Sequence, residues 1–262
     1  MTGSEREELH SLYARLSDLG RVAASGSVAV SLFLSPRELY FAEQYQREQG
    51  IAFLSFGGCE GTERQRLYLL PDYMEDVTSP EGLLDYGYDH GIRTLEILGS
   101  GYRRLTHRDF LGSLLGLGLE RGVIGDICLV DEFGGYAFVD AAIAPFITES
   151  LTKVASDTVK VRETTLPADF QVLRRTVPIL DTVASPRLDA VVAALCSCSR
   201  EQASSAVQSG LVELNYRTEE KGDRAVMPPA MISVRGQGKF RVLAVSELTR
   251  KGRIRLVAEK YL

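Results

Sequence analysis

The first apolar positions of the chain repeat at helical spacing and predict a helix over residues 5–19. Its apolar face carries four leucines: Leu9, Leu12, Leu16 and Leu19. Ser35 followed by Pro36, with Glu38 three residues after the serine, is typical of a capped helix start. This second helix is predicted to run to about Gln49.

Two short apolar runs then follow, at residues 51–56 and 67–70, and they predict two strands. The glycine-rich segment 57–61 lies between them and lacks the Lys-Ser/Thr ending of a phosphate-binding loop. We expect it to be a tight turn. Together these elements predict a small N-terminal α/β unit over residues 1–80.

From residue 81 to 166 the pattern predicts the order β-α-β-β-α-β. Strands are predicted at 92–98, 126–130, 136–139 and 158–164, and helices at 106–120 and 142–154. This order is the ferredoxin-like arrangement, which many RNA-binding domains share. A polar segment after Pro167 is expected to lead towards a further domain over residues 183–262, so the predicted fold class is α+β with three domains.

One strand of the central unit, residues 135–139, is similar to the core of the RNP1 signature of RRM domains, whose aromatic rings stack on bases. Strand periodicity places Tyr136 and Phe138 on one sheet face. Gly134 stands where the signature has a basic residue, and Ala141 where it has a trailing aromatic. Two interpretations stay open: the rings stack on bases, or they are core residues.

A base, a cation and a carboxylate are adjacent at His107, Arg108 and Asp109. One interpretation of this triplet is catalytic. The other is that Thr106 and Asp109 cap the helix while Arg108 contacts RNA. The candidate second RNA surface therefore consists of three residues: Arg108, Tyr136 and Phe138.

The C-terminal third predicts two helices on a small sheet. Ser185 and Pro186 are typical of a helix start, and Ser199 with Gln202 predicts a capping box for a second helix that Gly210 ends. The apolar stripe of the first helix has four members: Leu188, Val191, Val192 and Leu195. Segments 211–214 and 232–235 predict two short strands.

This arrangement places Arg187 and Arg200 at the two helix starts. We expect their guanidinium groups and the nearby backbone N–H groups to converge on one phosphate-binding surface.

The spacing of this third resembles the S4 domain, an RNA-binding module named after a ribosomal protein. The matching positions are Arg187, Leu188, Asp189, Ser199, Arg200, Ala203, Gly210, Val212, Asn215 and the segment 232–236. The resemblance implies RNA contacts from five of these residues: Arg187, Ser199, Arg200, Asn215 and Arg235. Three further basic residues of this third complete the eight predicted RNA contacts: Arg217, Lys239 and Arg241. Asp189 is expected to cap the helix or orient an arginine. Pro229 and Ala230 stand where the module often has Gly-Asp.

The N-terminal part resembles the YlmH family of bacterial S4-domain proteins. The resemblance rests on segments 33–38, 56–58, 63–64, 69–73, 105–118 and 124–127 and on Arg121. It implies an RNA-binding protein of the cytoplasm that acts in ribosome-associated quality control. The implied partners are the rRNA and tRNA of the large ribosomal subunit.

Charge is distributed unevenly along the chain. Residues 183–262 carry a net charge of +5, whereas the chain as a whole carries −5. An acidic protein with a basic C-terminal third is not a general polyanion binder, but a localised basic surface still attracts RNA. Segment 250–255 either extends this surface or forms an ordinary charged edge strand.

Other chemistry is not indicated. Cys196 and Cys198 are too close for a zinc knuckle and no second pair follows, so we expect no metal and no cofactor. We also expect no secretory signal, no membrane partner and no small-molecule substrate.

Three functional classes stay open. The first is a non-enzymatic RNA-binding factor on the large ribosomal subunit, which the residues favour. The second is an RNA-modifying enzyme similar to pseudouridine synthases, although no separate catalytic motif is visible. The third is an adaptor for cell-division proteins that binds them through the acidic N-terminal part.

Overall fold

A computed structural model describes residues 3–172, 176–248 and 252–262. Within these ranges the α-helices are α1 (Gly3–Ala24), α2 (Pro36–Gln49), α3 (Pro80–Asp85), α4 (His107–Gly116), α5 (Ala144–Ser150), α6 (Leu188–Leu195) and α7 (Arg200–Gln208). The strands are β1 (Ala29–Val30), β2 (Phe53–Phe56), β3 (Arg66–Leu69), β4 (Ile92–Gly99), β5 (Ile124–Leu129), β6 (Gly134–Asp140), β7 (Lys153–Val154), β8 (Asp157–Thr164), β9 (Thr176–Val183), β10 (Val212–Leu214), β11 (Arg217–Thr218), β12 (Ala230–Val234), β13 (Gly238–Leu248) and β14 (Ile254–Tyr261).

The described residues form two compact units, one of residues 4–172 and one of residues 176–248 and 252–262. Every sheet is antiparallel, and helices alternate with strand groups along the chain. The mixed α+β class predicted from the sequence is confirmed. The domain boundaries predicted near residues 80 and 166 stay predictions.

The N-terminal part of the first unit packs α1 and α2 beside a three-stranded sheet of order β1-β3-β2. The predicted helix start at Ser35 is confirmed, because Ser35 and Glu38 form a complete capping box. Three of the four predicted leucines of α1 are buried, namely Leu9, Leu12 and Leu16. The two-residue strand β1 was not predicted, since so short a segment shows no periodicity.

The central part of the first unit is a five-stranded sheet of order β5-β6-β4-β8-β7. Helices α4 and α5 contribute to its core, which includes Leu95, Phe110, Ala137 and Ile147. The second predicted helix, 142–154, is wrong in length. It ends at Ser150, and the chain turns there into the short β7–β8 hairpin.

Two side chains fasten the three-stranded part to the five-stranded sheet. The carboxylate of Asp126 accepts the backbone N–H groups of Glu63 and Arg64, the latter at 3.1 Å. The Arg64 guanidinium donates to the carbonyl groups of Ile124 and Phe33 at 3.1 and 2.8 Å. All five of these residues belong to the motif segments noted above, so the segments have a structural role inside this unit.

The second unit is a six-stranded sheet of order β11-β10-β12-β13-β14-β9. Helices α6 and α7 share one apolar core with it, which includes Val191, Val207, Ile232, Phe240 and Leu256. Strands β9, β13 and β14 were not predicted. Arg250 and Lys251 of the predicted basic segment lie outside the described residues, and the edge-strand interpretation of the rest is wrong because β14 lies between β13 and β9.

Helix α6 begins at Leu188, and the predicted start at Ser185 and Pro186 is wrong. The backbone there is extended rather than helical, since Arg187 forms a β-bridge with Ala225 and the Pro186 carbonyl accepts the N–H of Val226. Pairing with this neighbouring segment prevents an earlier helical turn.

In the described ranges every helix is too short or too polar to cross a bilayer.

Candidate nucleic-acid interface

Two arginines at the starts of α6 and α7 share one carboxylate. Arg187 donates to Asp189 through Nε at 3.2 Å and through Nη2 at 2.8 Å, and Nη2 of Arg200 donates to the same carboxylate at 3.2 Å. The expectation that Asp189 orients an arginine is confirmed. We call Arg187, Asp189 and Arg200 the helix-start cluster.

Burial differs sharply within the helix-start cluster. The Asp189 side chain is 7% exposed, whereas those of Arg187 and Arg200 are 45% and 52% exposed. The carboxylate therefore acts as an internal anchor and the guanidinium groups cover it from outside. Each guanidinium has five N–H groups, so donors remain available for an incoming phosphate.

The ionisation of the helix-start cluster follows from these contacts. Burial alone would raise the pKa of Asp189, but the hydrogen bond from Arg187 and the charges of both arginines outweigh it, and the pKa is lowered. The hydrogen bond to Asp189 raises the pKa of Arg187. The cluster therefore holds two cations and one anion at neutral pH.

The loop between β11 and β12 supports the start of α6. The Arg224 carbonyl accepts the N–H of Leu188 at 2.8 Å, and the Gly222 carbonyl accepts that of Asp189 at 2.9 Å. A Cβ on Gly222 would lie only 3.2 Å from the Cβ of Asp189, so the close approach of this loop suits glycine. These carbonyls occupy the first N–H groups of α6, which corrects the expectation that those groups bind phosphate.

At α7 the sequence prediction holds. Ser199 and Gln202 form the expected capping box, with the serine hydroxyl accepting the N–H of Gln202 at 3.1 Å. The Ser199 hydroxyl thus orients the helix that carries Arg200. Gly210 has a φ of +67° just after the helix, as its predicted role in ending α7 requires.

Asn215 lies in the tight turn between β10 and β11. Asn215 and Tyr216 both have positive φ, and the Asn215 side-chain oxygen accepts the N–H of Met231 at 2.8 Å. Arg217 follows this turn and is exposed. The structure therefore gives Asn215 a role in fixing the turn to β12, and its predicted RNA contact stays a prediction.

Lys239 and Arg241 lie on the face of β13 opposite the helices, because Phe240 and Val242 alternate with them and are buried under α6 and α7. We call this the outer sheet face. The Lys239 ammonium lies 5.5 Å from the Tyr216 ring centroid and 5.4 Å from that of Tyr261. These two tyrosines were not predicted from the sequence. The features that could have indicated them are that Tyr216 follows a turn asparagine and that Tyr261 lies at the end of a strand.

The eight predicted contact residues therefore do not share one face. Arg187, Ser199 and Arg200 belong to the helix layer, while Lys239 and Arg241 lie on the outer sheet face. Arg235 is exposed just beyond the end of β12. Arg187 and Arg200 meet at Asp189, as the convergence predicted for the two helix starts requires, whereas Lys239 and Arg241 lie apart from them on the outer sheet face.

Comparison with known proteins identifies the family. Residues 88–168 match the family model described as "Putative RNA-binding domain in YlmH". The chain is 31% identical over 231 residues to "Ribosome-associated protein quality control protein P2" of Bacillus subtilis (strain 168), covering 87% of this chain and 85% of the relative. This chain belongs to the YlmH family.

A solved structure of the YlmH family is also similar. It is "Cell division protein ylmH from Streptococcus pneumoniae", with 23% identity and a TM-score of 0.47, covering 63% of this chain and 93% of that one. The family resemblance predicted from the sequence motifs is confirmed by the sequence relative.

The region that matches the YlmH family model contains the two aromatics of β6, and both are buried. Phe138 is fully buried and packs with Phe33 and Ile92, while Tyr136 is almost fully buried and contacts Phe170 edge-on at 5.2 Å. The base-stacking interpretation is therefore wrong for these rings. Packing explains this: a Cβ on Gly58 would lie 2.3 Å from the Phe138 ring, so the glycine turn closes directly over it.

The same region contains the His-Arg-Asp triplet. Thr106 and Asp109 form a complete capping box, in which the Asp109 carboxylate accepts the backbone N–H of Thr106 at 2.8 Å. Hydrogen bonds from Thr106 lower the pKa of Asp109, and burial lowers that of His107. These contacts favour the capping interpretation. Arg108 follows on the first turn of α4 and is exposed.

Three of the four cysteines of this YlmH-family chain, Cys59, Cys128 and Cys196, lie in surroundings that disfavour the thiolate. Burial raises the pKa of Cys59 and Cys196 to about 11 and that of Cys128 to about 12. No group of His, Cys, Asp and Glu suited to a metal ion occurs among the residues that the structure describes.

Proposed function

We propose that this YlmH-family protein binds RNA without catalysing a reaction and acts in ribosome-associated quality control. Its proposed partners are rRNA and tRNA on the large ribosomal subunit, at stalled peptidyl-tRNA complexes in the cytoplasm. The curated relative named for ribosome-associated quality control supports this role. The helix-start cluster carries the proposal, because two half-exposed arginines are held on one buried carboxylate.

The domain organisation proposed for this function has three parts. Residues 1–80 form the N-terminal α/β unit, and residues 81–166 form a ferredoxin-like domain. The antiparallel order β5-β6-β4-β8 supports the second assignment. Residues 183–262 form an S4-type RNA-binding domain, an assignment supported by the two short helices α6 and α7 on one sheet.

Binding is proposed to be mainly electrostatic. Fixing an arginine before binding reduces the conformational entropy that is lost when it grips a phosphate, and Asp189 provides this fixation for both arginines. Their planar forks suit phosphate oxygens. The local charge of +5 in residues 183–262 attracts RNA towards the site. Further proposed contacts are Ser199, Asn215, Arg217, Arg235, Lys239, Arg241 and Arg108.

Ribosome co-sedimentation followed by mapping of crosslinked RNA tests this proposal. Crosslinks to rRNA and tRNA of the large subunit are expected, and the Arg187→Ala/Arg200→Ala double variant should lose most of them. Crosslinks to protein alone would contradict RNA binding. The proposal that no reaction is catalysed has its own test: tRNA incubated with the protein should show no modified nucleoside, and a new one would assign an enzyme.

A further inference from the structure

The loop between β4 and α4 presents one aromatic ring to solvent. Tyr102 is 96% exposed, the highest value among the exposed large apolar side chains of the described residues. A tyrosine left so exposed loses the hydrophobic stabilisation that burial of its ring would give. We call residues 100–108 the Tyr102 loop.

Both ends of the Tyr102 loop are fixed. The Asp157 carboxylate accepts the N–H of Ser100 at 3.0 Å and also the Ser100 hydroxyl. At the other end Leu105 is buried and its N–H donates to the Glu132 carbonyl at 2.7 Å. Only residues 101–104 project between these anchors, so little conformational entropy is lost when the loop binds a ligand.

Three exposed arginines belong to the Tyr102 loop: Arg103, Arg104 and Arg108. Arg104 is largely exposed and forms a 2.8 Å ion pair with Glu132, which is also exposed. Arg103 contacts the Ser156 hydroxyl at 2.6 Å and lies 3.8 Å from Asp109. Arg108 is exposed on the first turn of α4. Because Arg104 and Glu132 are both largely exposed, their ion pair contributes little stability, and a phosphate can replace the Glu132 carboxylate at low cost.

An exposed aromatic ring beside arginines suits one class of ligand. Unpaired nucleotides offer both a π-face that stacks on the ring and a phosphate that the guanidinium groups bind. In a duplex the base faces are already stacked on each other. The two aromatics of this unit that were predicted to stack on bases, Tyr136 and Phe138, are buried and cannot do so.

We propose that the Tyr102 loop binds unpaired RNA nucleotides, with a base stacked on Tyr102 and phosphates held by Arg103, Arg104 and Arg108. The inference rests on the proposed RNA-binding function and locates the contact within residues 88–168. The matched family description supports an RNA contact in this region.

A tryptophan reporter tests the contact directly, because the chain has no tryptophan. In the full chain, fluorescence of the Tyr102→Trp variant should be quenched by a 12-nucleotide oligouridylate and much less by a 12-base-pair RNA duplex. The Tyr73→Trp variant is the matched control, since Tyr73 is also exposed but lies in the acidic segment 72–76. Its fluorescence should not change.

Affinity measurements with the same oligouridylate supply the second test. Tyr102→Ala should weaken binding about tenfold, whereas Tyr102→Phe, which keeps the stacking ring, should bind like the parent. Arg104→Ala should weaken binding about threefold, and the control Arg6→Ala should not. Because Tyr102 is exposed, the melting temperature should stay unchanged in all of these variants.

Three outcomes would overturn the inference. The first is that neither RNA quenches the Tyr102→Trp variant, and the second is that only the duplex does. The third is that an oligoglutamate peptide quenches it as strongly as the oligouridylate, which would indicate a general anion-binding surface. Failure of the proposed function is recognised separately, because in that case the parent chain itself would bind no RNA. If the parent binds RNA and Arg187→Ala weakens it while Tyr102→Ala does not, only the present inference fails.

Discussion

The helix-start cluster and the aromatic pair of β6 differ in what they bury. In the cluster the carboxylate of Asp189 is buried and the two arginines reach solvent. In β6 the rings of Tyr136 and Phe138 are themselves buried, and their sheet face is covered by the glycine turn and by Phe170. Arginines and aromatics are both residue types that bind RNA in other proteins. Here the arginines of the cluster are exposed, whereas the aromatics of β6 are buried in the core.

This contrast teaches that a motif indicates function only where the fold leaves its side chains accessible. A buried aromatic contributes to stability, whereas an anchored but exposed arginine remains accessible to a ligand. Substitutions should separate these two roles, because stability and RNA affinity are measured independently.

The largest expected effect is on stability. Phe138→Ala should lower the free energy of unfolding by about 3–5 kcal/mol, since the ring is fully buried among Phe33 and Ile92. Chemical denaturation monitored by circular dichroism measures the change. The folded fraction of the variant should retain the parent's RNA affinity. If the variant instead kept the parent's stability and bound RNA more weakly, Phe138 would be a binding residue rather than a structural one.

Asp189→Asn should lower the free energy of unfolding by about 1–2 kcal/mol at pH 7, less than for a fully buried pair because both arginines are half exposed. The folded-state pKa of Asp189 is lowered, so its contribution to stability is present above the ordinary carboxyl value of about 4 and is lost as the pH falls below it. Denaturation curves from pH 7 to pH 2 should therefore converge for parent and variant at the acidic end. A difference that persists at pH 2 would exclude the ion pair as the cause.

Arg187→Ala and Arg200→Ala should each weaken RNA affinity about fivefold to tenfold, which corresponds to about 1–1.4 kcal/mol. Each leaves Asp189 with one arginine, so the chain should stay folded. Fluorescence anisotropy with labelled tRNA measures the affinity. Arg15→Ala, an exposed arginine of α1, is the matched control and should bind like the parent. Parent-like affinity in both cluster variants would disprove the role of the helix starts.

The smallest expected effect is on salt dependence. If roughly 3–5 phosphates are neutralised, log affinity should fall with log salt at a slope of about −2 to −4. Either cluster variant should reduce the magnitude of this slope by about 1, whereas Phe138→Ala should leave it unchanged. Titrations between 50 and 300 mM salt (roughly the range in which such slopes are linear) measure it. A slope near zero would contradict electrostatic binding.

Local signals in the sequence predicted much of this fold. The capping boxes at Ser35, Thr106 and Ser199 depend on residues three positions apart, and all three are present. The start of α6 was placed wrongly because a distant segment around Ala225 pairs with Arg187. Strand β13 was missed because bulges interrupt its alternation between Val242 and Ala244.

The candidate site was predicted in part. Arg187 and Arg200 could be placed at helix starts from local spacing, and Asp189 could be assigned an orienting role. The burial of Phe138 could not be predicted, because it depends on Gly58, which lies 80 positions earlier in the chain. The separation of the predicted contact residues into two faces likewise depends on the order of strands in the sheet.

The carbonyl groups of Gly222 and Arg224, in the β11–β12 loop, accept the first N–H groups of α6 and so fix the position of its start. A homologue with a longer or shorter loop would keep both arginines in its sequence but aim them in other directions. Relatives of this protein should therefore be grouped by the length of that loop as well as by their basic residues. Exchanging the loop between such relatives would change the direction of the two arginines, and so the geometry of RNA binding, while every basic residue stays the same.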